Sequence, residues 1–203
     1  MPESNNQNFN HLKIHTQYSI CEGAIKIDNL KDFCKENKIP CLGLSDTSNL
    51  CGALEFAENI SRVGTQPIIG TQIYFRFEDT TGLLPLIALN EKGYKRIIEL
   101  SSRSYLENDA LSDPHLNINE LLSDMDGVLL LSGTIQGLFG KLFQKGRLEE
   151  ISKIYKSLSS NFHDNFYLEI QRHGDQNEIA FEKFNLQQSI KIKIPIIATN
   201  EVF

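Results

Sequence analysis

Residues 41–77, CLGLSDTSNLCGALEFAENISRVGTQPIIGTQIYFRF, decide how the rest of the chain is read. An apolar run, CLGLS, leads into GALEFAENISRV, where Ala53, Phe56, Ala57 and Ile60 share one helical face, and then into a second β-rich run, QPIIGTQIYFRF. Strand, helix, strand is the unit of a parallel sheet, because a parallel neighbour needs a crossover long enough to hold a helix.

The same alternation extends in both directions. Upstream, Phe9 to Thr16 reads as a strand, and IDNLKDFCKENK as a helix with Ile27, Leu30, Phe33 and Cys34 at helical spacing, Asp28 in its first turn and lysines later, as the helix dipole favours. Downstream come the strand LLPLIAL, the helix KGYKRIIELSSRSYL, a short helix in NINELLSDM and the strand GVLLLSG. After GLFGKLF follow the helix RLEEISKIYKSLSS with Leu148, Ile151, Ile154, Tyr155 and Leu158 in register, the strand FYLEI, the helix NEIAFEKFNLQQSIKI and the strand PIIAT. The strands are almost purely apolar, which suits parallel strands covered on both faces. So many repeats predict an α/β fold with a parallel sheet, closed as a barrel or open and doubly wound. No strand is followed by G-x-G-x-x-G and there is no P-loop, so the barrel is preferred. An apolar strand closes the sequence without a covering helix, and the chain is read as an N-terminal fragment of a longer protein, its barrel truncated at the C-terminal end.

A chain of 203 residues has room for one domain with a substantial core. Hydrophobic residues make up 40% and charged residues 23%, which sets disordered and membrane classes aside. The 26 acidic and 20 basic side chains leave a formal charge of −6, with no basic block to neutralise phosphates, so the chain by itself is expected to hold DNA or RNA poorly. Cys21, Cys34, Cys41 and Cys51 show no C-x-x-C spacing and read as reduced thiols. The opening MPESNNQN lacks the apolar stretch of a signal peptide and reads as a disordered tail over residues 1–8. The expected location is cytoplasmic, with no membrane partner.

In α/β barrels the chemistry sits where strands end. The residues after each apolar run are His15 and Thr16, Asp46 and Thr47, Gln72, Gly133 and Thr134, His173, and Glu201. Each has a structural alternative: Asp46 as a helix cap, His173 and Glu22 as loop and turn residues. Their convergence on one mouth is what raises a functional reading, since histidines beside carboxylates are what a hard or borderline metal requires. Within Phe9–Ser19, FNHLKIHTQYS, alternation puts His11, Lys13 and His15 on one face. A lysine stands where a metal site would want a histidine.

The stretches FNHLKIHTQYSICEGA, LGLSDTSNLCGALEF, QPIIGTQIYF, GYKRIIELSSRSY, GVLLLSG, FYLEIQRHG and PIIATNEVF resemble the PHP (polymerase and histidinol phosphatase) domain of bacterial DNA polymerase III alpha subunits. They run from Phe9 to Phe203, so the resemblance implies a PHP domain over residues 9–203: a distorted TIM-like (β/α)7 barrel. Active members hold a cluster of two or three metals, usually zinc or manganese, and cleave phosphoesters. The resemblance also implies a place in DNA replication, beside the rest of the polymerase alpha subunit and the separate proofreading 3′–5′ exonuclease, with DNA reached only through the full-length protein. The polymerase region of such a parent, a DNA-directed DNA polymerase (nucleotidyltransferase) using magnesium, lies beyond this sequence.

Against the family's metal-binding pattern, the H-x-H motif reads Lys13-Ile14-His15, its following acid is Glu22, and Asp-His becomes Asp46-Thr47. The glutamate after PIIG is Gln72, a histidine position falls near Leu83, and the cysteine after LSG is Thr134. His173 matches, and the terminal Asp-x-His is Glu201-Val202-Phe203. Leucine and phenylalanine offer no lone pair, glutamine is a weak neutral ligand, and an ammonium repels a cation. The expectation is therefore a vestigial site formed by Lys13, His15, Glu22, Asp46, Thr47, Gln72, His173 and Glu201, with no catalysis and no cofactor in this fragment. Any retained zinc or manganese would fall to His15, Glu22, Asp46, His173 and Glu201. Lys13 is expected to stand in for the metal by pairing with Asp46, Glu201 or Glu22; the alternative is a lysine reaching to solvent. The competing function is a metal-dependent phosphoesterase, either an exonuclease or a small-molecule phosphatase.

Overall fold

The computed structural model describes residues 9–109 and 112–203, so the expected tail over residues 1–8 lies outside the described residues. In chain order the elements are β1 (Lys13–Ile14), α1 (Ile27–Asn37), β2 (Cys41–Thr47), α2 (Ala53–Ser61), β3 (Gln66–Phe77), β4 (Thr80–Ala88), α3 (Glu91–Leu106) and β5 (Leu116–Asn117). After a short 3-10 turn come β6 (Val128–Leu131), α4 (Leu138–Gln144), α5 (Leu148–Phe162), β7 (Phe166–Ile170), α6 (Glu178–Ile192), β8 (Ile196–Ala198) and β9 (Glu201–Val202).

Hydrogen-bonded neighbours follow the order β8-β7-β6-β4-β3-β2-β1-β9, with β5 added to β3. The two ends of that path, β8 and β9, are separated in the chain only by Thr199 and Asn200. The chain itself therefore joins the sheet's two edges, and the sheet wraps into a distorted TIM-like barrel. Counted as one interrupted strand, β8 and β9 make it a barrel of seven staves.

The expectation of a wholly parallel sheet is corrected at β4. This strand runs antiparallel to both β3 and β6, while the remaining barrel pairings are parallel. Only Glu78 and Asp79 separate β3 from β4, too few residues for a crossover, and Glu78 adopts a φ of 51° to make the turn. An apolar run such as LLPLIAL carries no sign of strand direction. The strand expected over Phe9–Thr16 is also shorter, confined to Lys13–Ile14. Its extended course continues outside the ladder, where the Gly43 amide donates to the His11 carbonyl at 2.7 Å. A Cβ at Gly43 would lie 2.5 Å from the Leu12 carbonyl oxygen, so this close approach requires glycine.

Two apolar clusters fill the space between sheet and helices. Ile14, Leu42 and Leu44 pack with Leu30, Phe56 and Ile60 under α1 and α2. Leu84, Leu130, Phe166 and Leu168 pack with Phe139, Tyr155 and Leu158 under α3 to α6. Two residues assigned to helix faces from the sequence stand outside them: Phe33 flanks the Ile27–Leu30–Cys34 stripe and Leu148 opens α5, and both are exposed. The cysteines are free; burial pushes the Cys34 and Cys41 thiols up, away from the reactive thiolate. No described helix is long and apolar enough to cross a membrane.

Candidate functional site

Strand alternation turns Ile14 outward to the core and Lys13 and His15 into the barrel. Lys13 is only 1% exposed, and its Nζ lies 3.0 Å from Glu169 Oε1 and 3.3 Å from Glu201 Oε2. The lysine thus turns inward and pairs with carboxylates rather than reaching solvent. One of the expected partners, Glu201, is correct. Asp46 and Glu22 are engaged elsewhere, and the second partner is Glu169, which the sequence analysis missed. A signal was present: Glu169 is the one acid in the apolar run FYLEI, on the face opposite Phe166 and Leu168, which belong to the core. Its Oε1 also accepts hydrogen bonds from the Gln171 amide at 2.9 Å and from the Thr199 hydroxyl. Burying two unpaired carboxylates here would cost several kcal/mol each, so the ammonium between them is a structural requirement.

His15 occupies the next inward position. Its Nε2 is 2.9 Å from Glu201 Oε1, and its Nδ1 is 3.2 Å from Ser19 Oγ. The Ser19 hydroxyl donates its single hydrogen to Asp46 Oδ1 at 2.7 Å, so it meets the His15 ring as an acceptor. Phe203 stacks on the imidazole with ring centroids 4.3 Å apart and planes 18° apart. The Gln72 amide donates to Glu201 Oε1 at 2.5 Å. Burial works to raise the Glu201 carboxyl, but the His15 hydrogen bond, the Lys13 charge and the Gln72 amide together outweigh it and hold the group down at about 2.

Asp46, at the end of β2, is fully buried and acts on the β1 turn. It accepts from the Thr16 amide at 2.6 Å, the Thr16 hydroxyl at 2.9 Å and the Ser19 hydroxyl. All three donors belong to the turn after β1, so Asp46 fixes the loop that carries Ser19. The loop then closes back at Gly23, where a Cβ would lie 2.0 Å from the Thr16 carbonyl oxygen. Thr47 donates its hydroxyl to Glu22 at 2.5 Å. His173 sits at the rim, its Nε2 2.7 Å from Asn200 Oδ1, and the Glu178 carboxylate gathers the amides of residues 173, 174 and 175.

The mouth of the barrel is a cavity of about 580 Å³ whose lining includes His15, Glu22, Thr47, Gln72, His173 and Glu201. Leu83, Thr134 and Phe203 also line it. Seven of the eight expected site residues thus meet at one mouth, or one layer beneath it in the case of Lys13, while Asp46 lies behind the turn. Among the described residues no group of three His, Cys, Asp or Glu side chains is arranged to hold a metal ion.

Fold and mouth define a barrel of the PHP type. The sequence matches the PHP domain family over residues 11–173, and the chain belongs to that family. It is 35% identical to the DNA polymerase III subunit alpha of Caulobacter vibrioides, over 100% of this chain and 18% of that protein. It is 32% identical to the subunits of the same name from Vibrio cholerae and Haemophilus influenzae, over 96% and 98% of this chain and 17% of each relative. The chain thus spans less than a fifth of the length of these relatives. Two solved structures share the fold. A Bifidobacterium adolescentis protein assigned as a metal-dependent phosphoesterase has a TM-score of 0.58 at 12% identity, and an amidohydrolase from Chromobacterium violaceum has 0.58 at 10%. Each match covers 95% of this chain and 87% of the other.

Proposed function

We propose that this chain serves DNA replication as the PHP module of a DNA polymerase III alpha subunit, and that its barrel is a scaffold with no phosphoesterase activity of its own. The observation that carries this reading is the Lys13 ammonium, buried between Glu169 and Glu201 at the base of the mouth. An ammonium at neutral pH has no lone pair to give and repels a second cation, so it supplies the positive charge that a metal would bring and closes the position to one. Several of the other donors are engaged within the protein: Glu201 and Ser19 lie against the two nitrogens of His15, Asp46 holds the Thr16–Ser19 turn, and Thr47 binds Glu22. This donor set does not fit the multi-metal cluster of an active PHP enzyme, and no hydrolytic step is derived for it.

The curated relatives support the replication role, since all three carry the alpha-subunit name and are matched over nearly the whole of this chain. A scaffold in that setting contacts the remainder of the alpha subunit and docks the proofreading exonuclease. The reading is tested by metal analysis of the purified chain, paired with phosphatase and 3′–5′ exonuclease assays in zinc and in manganese. Less than one metal per ten chains and no turnover are expected. Stoichiometric metal, with turnover abolished by His15→Ala, would establish the phosphoesterase instead. For the docking role, the cognate exonuclease is expected to co-purify with the full-length alpha subunit and to be lost when this domain is deleted. Unchanged binding after deletion would refute docking here.

A further inference from the structure

The lining of the mouth is rich in acceptors and poor in cations. Glu22, Asp175, Glu178 and Glu201 face it, and no lysine or arginine does. Lys13 lies one layer beneath, and there its charge is matched by Glu169. Two neutral side chains sharpen this bias. Gln72 and Gln171 stand at the two ends of the buried row Glu201, Lys13, Glu169: the Gln72 amide donates to Glu201 at 2.5 Å, and the Gln171 amide donates to Glu169 and to Thr199, each at 2.9 Å. An amide that gives its N–H groups to a carboxylate cannot be turned over, because its oxygen would then meet another anion. The two glutamines are only 3% and 8% exposed, and both line the mouth. Their carbonyl oxygens accept no hydrogen bond among the described residues and are not sealed within protein, so they face the cavity.

Deep acceptors beside several carboxylates, in a cavity of about 580 Å³, call for a cation that is itself made of donors. A guanidinium group has that character: planar, all donors, permanently charged, and more weakly hydrated than an ammonium, so it enters a half-closed cavity at lower cost. Leu83 and Ile135 offer an apolar wall to its flat faces. A divalent ion fits worse, since the Lys13 ammonium repels it and no three ligating side chains converge among the described residues. We propose that the mouth binds a guanidinium cation, brought either by an arginine side chain of a partner protein or by a small molecule. Of the groups involved only Glu201 belongs to the last strand, and Lys13 and His15 already engage it. Such a site deepens the scaffold reading and rests on it in one respect, that no metal cluster fills the mouth.

Titration of the full chain, followed by nuclear magnetic resonance of its side-chain amides, tests the site. Nα-acetyl-arginine methylamide is expected to bind saturably with millimolar affinity and to move the Gln72 and Gln171 amide signals ahead of others. The matching lysine compound should bind at least about fivefold more weakly, because an ammonium offers fewer donors at a single point. Propylguanidine, which carries the cation without peptide groups, separates the sources: weaker binding than the acetylated compound assigns a partner's arginine, and binding as tight or tighter assigns a small molecule. Glu22→Lys, which reverses a charge at the half-exposed rim, should weaken binding by about tenfold or more, whereas Glu91→Lys, on the exposed start of α3 at the opposite end of the barrel, should change it by less than about twofold. Absence of saturable shifts up to about 50 mM, or equal affinity for the lysine compound, would overturn the proposal, and both are read on the unmodified chain. Unchanged affinity in a folded Glu22→Lys would also overturn it. Metal content is measured on the same sample: a metal-free chain that ignores guanidinium refutes this site alone, whereas stoichiometric metal with turnover refutes the scaffold reading along with it.

Discussion

Glu201 offers the sharpest quantitative handle on the site, because its carboxyl is both mostly buried and held at about 2, against an ordinary value of 4.5. A carboxyl whose folded value is depressed binds more protons in the unfolded chain, so its contribution is fully present above pH 4.5 and is withdrawn as the pH falls toward 2. A displacement of that size corresponds to about 3 kcal/mol in full, of which about 1 kcal/mol should be gone by pH 3.5. Other acids also titrate in this window, so the useful quantity is the difference between the unmodified chain and Glu201→Gln. Urea unfolding followed by circular dichroism at pH 7, 5, 4 and 3.5 gives that difference. Glutamine keeps the shape and cannot ionise, and the stability gap between the two proteins should be flat from pH 7 to 5 and then narrow by about 1 kcal/mol at pH 3.5. A gap that stays constant down to pH 3.5 would refute the reasoning, because it would mean that neither Lys13 nor His15 holds Glu201 in its ionised form.

Lys13→Met should lower global stability by about 3 kcal/mol, the low end for a broken buried pair, since it leaves Glu169 and Glu201 facing each other without a cation. Adding Glu169→Gln to it should recover at least about half of that loss by urea denaturation, and a double variant no more stable than the single one would count against the pairing. Asp46→Asn should cost about 2–4 kcal/mol, because the buried Thr16 amide and hydroxyl and the Ser19 hydroxyl lose a charged acceptor; thermal unfolding within a degree or two of the unmodified protein would show that the turn does not depend on it. Excess zinc or manganese should leave the melting temperature unchanged within about 1 °C, whereas a rise that grows with metal concentration would reveal a site that binds the folded state.

The alternation of apolar runs and helical stripes was enough to anticipate an α/β sheet fold, because core burial dictates that pattern, while the choice of a barrel over an open sheet rested on the missing nucleotide motifs and on the family resemblance. Strand direction was a different matter. LLPLIAL is apolar whether its neighbours run parallel or antiparallel, and only the two-residue link at Glu78–Asp79 distinguishes the cases. The site was legible where the chain places polar residues after apolar strands, as at His15, Asp46, Gln72, His173 and Glu201. Glu169 escaped that reading because it lies inside a strand. A search of strand ends cannot find a residue whose role is to face an ammonium across the barrel, although a lone acid in FYLEI opposite an inward lysine in HLKIH is the trace such a pair leaves. Asp46 shows the converse limit: its position at a strand end suggested the mouth, and its side chain serves a backbone turn.

Lys13 and Phe203 do complementary work around His15 and Glu201. The Lys13 ammonium supplies positive charge between Glu169 and Glu201, while the Phe203 ring, stacked on His15, adds a contact between β9 and the turn after β1. The two contacts differ in strength. Removing one partner of a buried ion pair costs about 3–5 kcal/mol, whereas a ring stack contributes about 0.5–1.5 kcal/mol. The arrangement of carboxylates at the base of the mouth therefore depends on the ammonium far more than on the ring.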